Sequence, residues 1–350
     1  MTEAGALSSF TLGLILLGAV VLAALAAWNT WTSRRHTPRR AQAAAPASAP
    51  VEPGLEPTLD GERQDPVFDV APPLPERKPG LDALIDVLAP IALEAPVSGE
   101  AALAAMPPTR RAGSKPFAIE GLNAQSQQWE TPHPGQRYAA FQAGVQLANR
   151  VGALNEIEYS EFVMKVQAFA DAVNGTPDVP EMLDEVARAR ELDQFASGHD
   201  AQLSFTLRAR QAAWSPGYVQ QHAARLGFVA GALPGRMVLP SATPGAPPLL
   251  GLSFDTQAAM ADDPEQAALR QLSLSLDVPQ VDRREQPFAR MREAAHALAS
   301  AMDGVVTDDN GQTIQPQALD VIGADLEQLY DTLDSRELAA GSPLARRLFS

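Results

Sequence analysis

The sequence predicts an α+β protein of the split β-α-β type, in which a mainly antiparallel sheet carries helices on one face and which is present twice. Residues that alternate between apolar and polar predict strands with one solvated face, and apolar residues spaced three and four apart predict amphipathic helices. These elements occur in a similar order in residues 80–196 and in residues 201–336. Before both units, an uncharged apolar run predicts a transmembrane helix and a proline-rich stretch predicts a disordered linker.

The overall composition excludes several classes of protein. The 350 residues carry a formal net charge of −15 and include no cysteine. Without cysteine the chain has no disulfides, no thiolate zinc sites and no cysteine nucleophile. The strong negative charge argues against a general nucleic-acid binder, which would need a cationic face.

Residues 10–31 are predicted to form a transmembrane helix after a short stub, residues 1–9. The run from Phe10 to Trp28 has no charged residue, and about 19 helical residues rise roughly 28 Å, enough to cross a hydrocarbon core. The span is followed at once by Arg34, Arg35, Arg39 and Arg40, and no lysine or arginine precedes it. The positive-inside rule then places the stub in the periplasm and the C-terminal bulk in the cytoplasm, so we expect a single-pass protein of the inner membrane. A cleaved signal peptide is the alternative, which the missing basic n-region disfavours.

Residues 32–79 combine this basic collar with a proline-rich linker. Ten prolines lie between Thr37 and Pro79, with no helical or strand period among them. Such a stretch cannot bury enough apolar surface to offset its ordering entropy, so we expect disorder with polyproline character. Fully extended, it would reach on the order of 130 Å at ~3.1 Å per residue. We interpret it as a spacer rather than as an SH3-type ligand.

The first folded unit is predicted at residues 80–196. Its elements, in chain order, are a strand at 85–93, a short helix opened by Ser98, strands at 116–120 and 141–147, an amphipathic helix that ends at Asn174 and Gly175, and a last helix through 182–189.

The second unit is predicted at residues 201–336 and repeats this order. Its elements are a strand at 203–207, a helix capped by Ser215 and stopped at Gly227, strands at 237–239, 248–254 and 272–276, a helix at 288–302, a hairpin at 305–314 and a last helix at 319–333. Gln142 and Gln271 are separated by the same number of residues as Gly175 and Gly304, which favours a divergent duplication over chance.

A short basic and apolar tail, residues 337–350, is predicted either to dock on the acidic body, to serve as a peptide ligand, or to fray.

Three segments of the second unit carry a family resemblance. These are FARMREAAHALASAMDGVVTDDNGQTIQPQ from Phe288 onward, the strand LSLSLDVP that begins at Leu272, and the helix-ending Gly227–Phe228 pair. Together they resemble the C-terminal domain of the ZipA family, which shows an amphipathic helix, a Gly-Val-Val hairpin and a final helix after a Pro-Gln step. The layout of stub, span, basic collar and proline-rich tether is similar as well. The resemblance covers about residues 201–336 and the N-terminal layout.

The resemblance implies a cell division protein without enzymatic activity. It would tether the FtsZ ring to the cytoplasmic face of the inner membrane, through a domain that binds the C-terminal peptide of the tubulin-like GTPase FtsZ. In the family this peptide lies in a shallow apolar groove on the open face of the sheet. Here the family's groove positions fall near Ser204, near Phe254 or Asp255, and near Ser275. The face is polar, because it carries Ser204, Thr206, Ser273, Ser275 and Asp277. The apolar anchors that remain are Leu233, Leu249 and Phe254, and core packing is the alternative for Phe254 because it shares a strand face with Leu250 and Leu252.

No pattern in the chain indicates a catalytic, metal, cofactor or small-molecule site. The five histidines are scattered, and none has metal-ligand spacing with a carboxylate. No phosphate-binding or dinucleotide-binding glycine motif occurs. The function that competes with the ZipA-like one is therefore also non-enzymatic: a membrane-tethered envelope scaffold that binds a different protein partner.

Overall fold

The computed structural model describes residue 39 and residues 80–263, 266–308 and 310–350. The predicted transmembrane helix, and the proline-rich linker apart from Arg39, lie outside these residues. Within the described part of the chain, no helix combines the length and the apolar character that crossing a bilayer requires.

The first unit is a five-strand antiparallel path with helices packed on it. Its elements are β1 (Asp86–Ser98), α1 (Gly99–Ala105), β2 (Arg111–Ala112), β3 (Lys115–Asn123), β4 (Trp129–Glu130), β5 (Arg137–Gln146), β6 (Ala148–Asn149), β7 (Gly152–Ala153), α2 (Glu156–Ala172), β8 (Gly175–Pro177) and α3 (Met182–His199). The strand order is β2-β3-β5-β1-β8, while β4 pairs with β3 and β6 pairs with β7. Phe162 and Phe169 of α2 pack in one core with Val87 and Phe141 of the sheet.

The second unit is a six-stranded antiparallel sheet with its own helices. Its elements are β9 (Gln202–Ala209), α4 (Pro216–Arg225), β10 (Val229–Ala230), β11 (Arg236–Leu239), β12 (Leu250–Ser253), α5 (Thr256–Ala259), β13 (Gln271–Asp277), α6 (Pro287–Met302), β14 (Gly304–Thr307), α7 (Pro316–Ser335) and α8 (Pro343–Leu348). The strand order is β10-β11-β12-β13-β9-β14. These two sheets confirm the predicted α+β class.

The two sheets share one topology. Apart from β10, the path β11-β12-β13-β9-β14 repeats β2-β3-β5-β1-β8, with each strand in the corresponding place along the chain. The step from the long helix to the edge strand is also the same. Asn174 and Asp303 have positive φ angles of 53° and 54°, and Gly175 and Gly304 then begin β8 and β14. This agreement supports the duplication that the common spacing predicted.

The amphipathic patterns form helices for the expected physical reasons. Helix α2 begins with a capping box, in which Asn155 accepts from the Glu158 backbone N–H and Glu158 accepts from the Asn155 N–H. Helix α6 begins with Pro287, whose missing N–H costs nothing in the first turn. The apolar stripe predicted for α6 is buried, and its residues are Phe288, Met291, Ala295, Leu298 and Met302. The hairpin predicted at 305–314 has a short second strand: among the described residues, the return chain pairs with β14 through the Thr307–Thr313 bridge.

The tail packs against the folded units, which is the first of the three outcomes predicted for it. Ala345 and Leu348 are fully buried and Phe349 is 1% exposed, so fraying is excluded. Arg347 reaches the first unit, where its Nη2 lies 2.5 Å from Oδ1 of the buried Asp86. A second link is Arg150, which pairs with Asp200 at 2.6 Å and with Asp277 at 2.7 Å. The tail and Arg150 therefore join the two units.

Candidate functional site

The open face of the second sheet is built by strand register. Gly251 lies opposite Ser275, which lies opposite Ser204, and a second row places Ser253, Ser273 and Thr206 side by side. Because side chains alternate along a strand, the leucines between these residues point to the other face. Leu272, Leu274 and Leu276 are accordingly buried under the helices. The structure thus brings the predicted residues Ser204, Ser273 and Ser275 together on one solvated surface.

The serine hydroxyls of this face bond to one another and to the backbone. The Oγ atoms of Ser204 and Ser273 lie 2.8 Å apart, within hydrogen-bond distance. Ser275 donates to the carbonyl oxygen of Gly251 over 3.4 Å. A peptide on this surface would meet hydroxyl groups that can both donate and accept, rather than the apolar floor that the family groove has.

A groove opens where the second row of polar residues ends. It encloses about 460 Å³ and is lined by Thr206, Ser253, Phe254, Asp255, Ala268, Leu269, Arg270, Gln271, Leu272 and Ser273. Two exposed arginines stand on the same face: Arg236 is paired with Ser253, and Arg208 is paired with Gln271. Arg208, Arg236 and the groove residue Arg270 outnumber the one carboxylate of the lining, Asp255, so this end of the face is net positive although the chain as a whole is acidic.

The opposite end of the face is acidic and already occupied. There Asp277 follows Ser275 on the same face of β13 and bonds to the guanidinium of Arg150 from the first unit. The hydrogen bonds to Asp200 and Asp277 raise the pKa of Arg150 above its already high ordinary value. The first unit thus covers this end of the face with Arg150, whereas the groove lies at the other end.

The predicted apolar anchors differ in their exposure. Leu249 is fully buried and Phe254 is 8% exposed, and both belong to the core of the second unit. Phe254 packs in this core and also lines the groove. Leu249 lies just before β12, and its side chain is fully buried in the core, so it is not exposed to a ligand. Leu233 is 61% exposed and remains available for contact.

Sequence reasoning missed the apolar edge of this face. Val229 of β10 is paired with Val238 of β11, which is paired with Gly251 in the first row of the open face. Val229 is 49% exposed, and Leu233 lies in the turn that joins the two strands. Strand β10 has two residues and therefore shows no alternation. In the sequence, the helix-ending Gly227 is the signal that an extended segment follows. The open face therefore has a polar centre and an aliphatic margin.

The described residues include no group of three or more His, Asp or Glu side chains that could hold a metal ion.

Comparison with known proteins agrees with this architecture. No match to the chain is found among curated proteins. A protein-family model, ZipA, C-terminal FtsZ-binding domain, matches residues 258–324. The matched segment contains β13, α6, β14 and the first turns of α7, and hence Ser273 and Ser275, while Ser204, Leu233, Leu249 and Phe254 precede it. The resemblance of the second unit to the ZipA family is thereby confirmed over these residues.

Proposed function

We propose that the second unit binds the C-terminal peptide of FtsZ on the open face of its sheet, as part of a cell division role. The observation that supports this most is the family match, because it includes β13, the strand that runs through the middle of the face. No catalytic step is needed for this role. The chain would act as a binding protein that holds one partner at one place.

The composition of the face defines how it would hold a peptide. Leu233, Val229 and Val238 would bury aliphatic side chains of the ligand at the sheet margin, each contact contributing roughly 1.5–3 kcal/mol when complete. The serine rows would accept and donate hydrogen bonds to peptide backbone and polar side chains. Arg208 and Arg236 would pair with acidic side chains and raise the association rate. The mode is mixed, with fewer apolar anchors than in the family groove.

We further propose that the chain tethers FtsZ to the cytoplasmic side of the inner membrane. This rests on the uncharged run at residues 10–31 and on the arginines that follow it. A reporter that is active only in the cytoplasm should work when fused after Ser350, and one active only in the periplasm should not. The opposite pattern would reverse the proposed topology.

Peptide titration of the full chain in lipid nanodiscs tests the binding proposal. Leu233→Asp places a charge in the aliphatic margin and should weaken binding of the FtsZ C-terminal peptide about tenfold or more, equivalent to about 1.4 kcal/mol or more. Ile157→Asp is the matched control, because Ile157 is 83% exposed in the first turn of α2 on the other unit. Absence of binding at millimolar peptide, or equal loss in both variants, would contradict the proposal.

The polar centre of the face favours a second candidate function. A surface of serine and threonine flanked by arginines suits an acidic, polar ligand better than an apolar helix. A membrane-tethered envelope scaffold with a different protein partner would have such a surface. If the FtsZ peptide does not bind while Arg236→Ala and Ser273→Ala abolish a native-membrane complex, this scaffold function takes its place.

A further inference from the structure

A separate site on the second unit holds the side chain of Arg39. Its Nη1 donates to the carbonyl oxygen of Met302 over 3.1 Å, and its Nη2 lies 2.8 Å from Oδ2 of Asp303. Met302 is the last residue of α6, and Asp303 is its C-cap. The carbonyl end of a helix carries partial negative charge, and the Asp303 carboxylate adds a full one. The guanidinium therefore occupies a site that is complementary to it in charge and in shape.

The backbone of Arg39 is held as well. Its N–H donates to the Ala213 carbonyl over 2.6 Å, and its carbonyl accepts from the Ser215 N–H over 2.8 Å. These two bonds form a parallel bridge with Trp214, which is itself bridged to Leu269 on its other side. Arg39 thus adds a third extended segment beside Trp214, in the manner of β-strand addition.

Trp214 makes this a built site. The indole is fully buried, and its Nε1 donates to the same Met302 carbonyl over 2.8 Å. The Arg39 and Asp303 side chains are each 35% exposed, so the ion pair is partly shielded from water. The two-pronged guanidinium contact selects arginine, because a lysine ammonium has no planar fork that reaches both acceptors.

We propose that this site is a docking site for the basic collar that follows the predicted membrane span, with Arg39 as its occupant. Apart from Leu269, which pairs with Trp214 and also lines the groove, the site uses other residues than the open face. Gly80, where the first unit begins, is held by the Arg347 side chain, which donates to its carbonyl oxygen over 3.1 Å. The proline-rich stretch then no longer sets the distance between the domain and the anchor.

Docking of Arg39 limits the distance between the folded units and the predicted membrane span. Arg39 lies eight positions after Trp31, so the chain between them spans at most roughly 28 Å when fully extended. The docked domain therefore stays close to the membrane, whereas the undocked linker would allow on the order of 130 Å. Breaking the contact would convert a short tether into a long one.

Electron-electron distance measurements on the full chain in nanodiscs test the docking. The absence of native cysteine lets two introduced cysteines carry spin labels without background. One label replaces Gln42, at most ~11 Å of chain from Arg39. The other replaces Val321, which is 61% exposed on α7. We expect one narrow distance distribution, most of which is lost in Arg39→Ala and in Asp303→Asn.

Two features keep the result interpretable. Asp262→Asn removes an exposed charge away from the site and should leave the narrow distribution unchanged. Asn tolerates the positive φ at position 303, so Asp303→Asn keeps the backbone. Arg39→Ala changes no residue of the two folded units. Loss of the narrow distance distribution in both variants is therefore not explained by misfolding. A broad distribution in the labelled parent, or a narrow one that persists in both variants, would overturn the proposal. FtsZ plays no part in this readout, so the two proposals fail separately.

Discussion

At the scale of single residues, the pair formed by Asp86 and Arg347 shows how the fold uses a buried charge. Asp86 is 1% exposed, and it accepts both from Arg347 and from the Asp82 N–H. Burial raises the pKa of Asp86 above its ordinary value of 3.8, although the Arg347 charge opposes the shift. The tail therefore supplies the counter-ion for this buried carboxylate, and the Asp82 N–H supplies a second hydrogen bond.

Arg347→Ala should be strongly destabilising at neutral pH. It leaves a buried carboxylate without a counter-ion, which costs about 3–5 kcal/mol of unfolding free energy. A carboxyl group whose pKa is higher in the folded than in the unfolded protein stabilises the fold most at low pH, where it is protonated. This stabilisation is lost as the pH rises through the folded-state pKa. The variant raises this pKa further, so acidification toward pH 4 should reduce its deficit relative to the parent. Urea unfolding at pH 7 and pH 4.5 measures this, and an equal deficit at both pH values would contradict it.

At the scale of elements, the edge of the second sheet depends on the turn before β11. Gly235 has a φ of +75°, and a Cβ there would lie 2.7 Å from the carbonyl oxygen of Phe254. The Phe254 N–H in turn donates to the Gly235 carbonyl over 2.9 Å. Only glycine fits this approach, and the approach positions the aliphatic margin of the open face.

Gly235→Ala should lower the unfolding free energy by about 1–3 kcal/mol, through strained backbone and the close carbonyl contact. Gly198→Ala is the matched control, because a Cβ at Gly198 in α3 meets nothing within 4 Å. That substitution should leave stability unchanged or raise it by up to about 1 kcal/mol. Chemical denaturation of both variants measures their unfolding free energies. Similar losses of unfolding free energy in the two would refute the steric explanation.

The elements themselves were largely predictable, and the reasons are local. Helix α6 follows its apolar period from Phe288 to Met302, and the alternation in β13 correctly placed Ser273 and Ser275 on one face. The short strand β10 has no period to detect. Alternation sets Leu249 opposite Leu250 and so predicts an exposed anchor, yet Leu249 precedes the paired strand and packs in the core. Contacts between distant residues, such as Arg39 with Asp303, leave no local pattern.

At the scale of the whole molecule, the tail makes two related units into one body. Residues Ile85 and Ala148 of the first unit join the core of the second, together with Leu348 and Phe349 of the tail. Gln146 donates to the Arg347 carbonyl over 2.9 Å, and Gln280 donates to the Phe349 carbonyl over 2.7 Å. Since both units bind the same short helix α8, its removal should uncouple them.

Deletion of residues 343–350 should therefore replace one cooperative thermal transition by two. It exposes the apolar surface under Leu348 and Phe349 on both units and leaves Asp86 unpaired. Calorimetry of the full chain measures the effect, and Arg346→Ala serves as the control because it keeps the buried side chains of α8. A deletion that unfolds in one transition at the parent temperature would show that Arg150 and the direct contacts suffice.

The central claim is that FtsZ binds the open face of the second sheet, and site-specific photocrosslinking in cells tests it most directly. A photoreactive phenylalanine analogue in place of Ser275 lies in the middle of that face and is exposed. The same analogue in place of Glu293, exposed on α6, lies on the helical side of the sheet. We predict a crosslink to FtsZ from position 275 and none from position 293. A crosslink from position 293 alone, or from neither position, would contradict the claim.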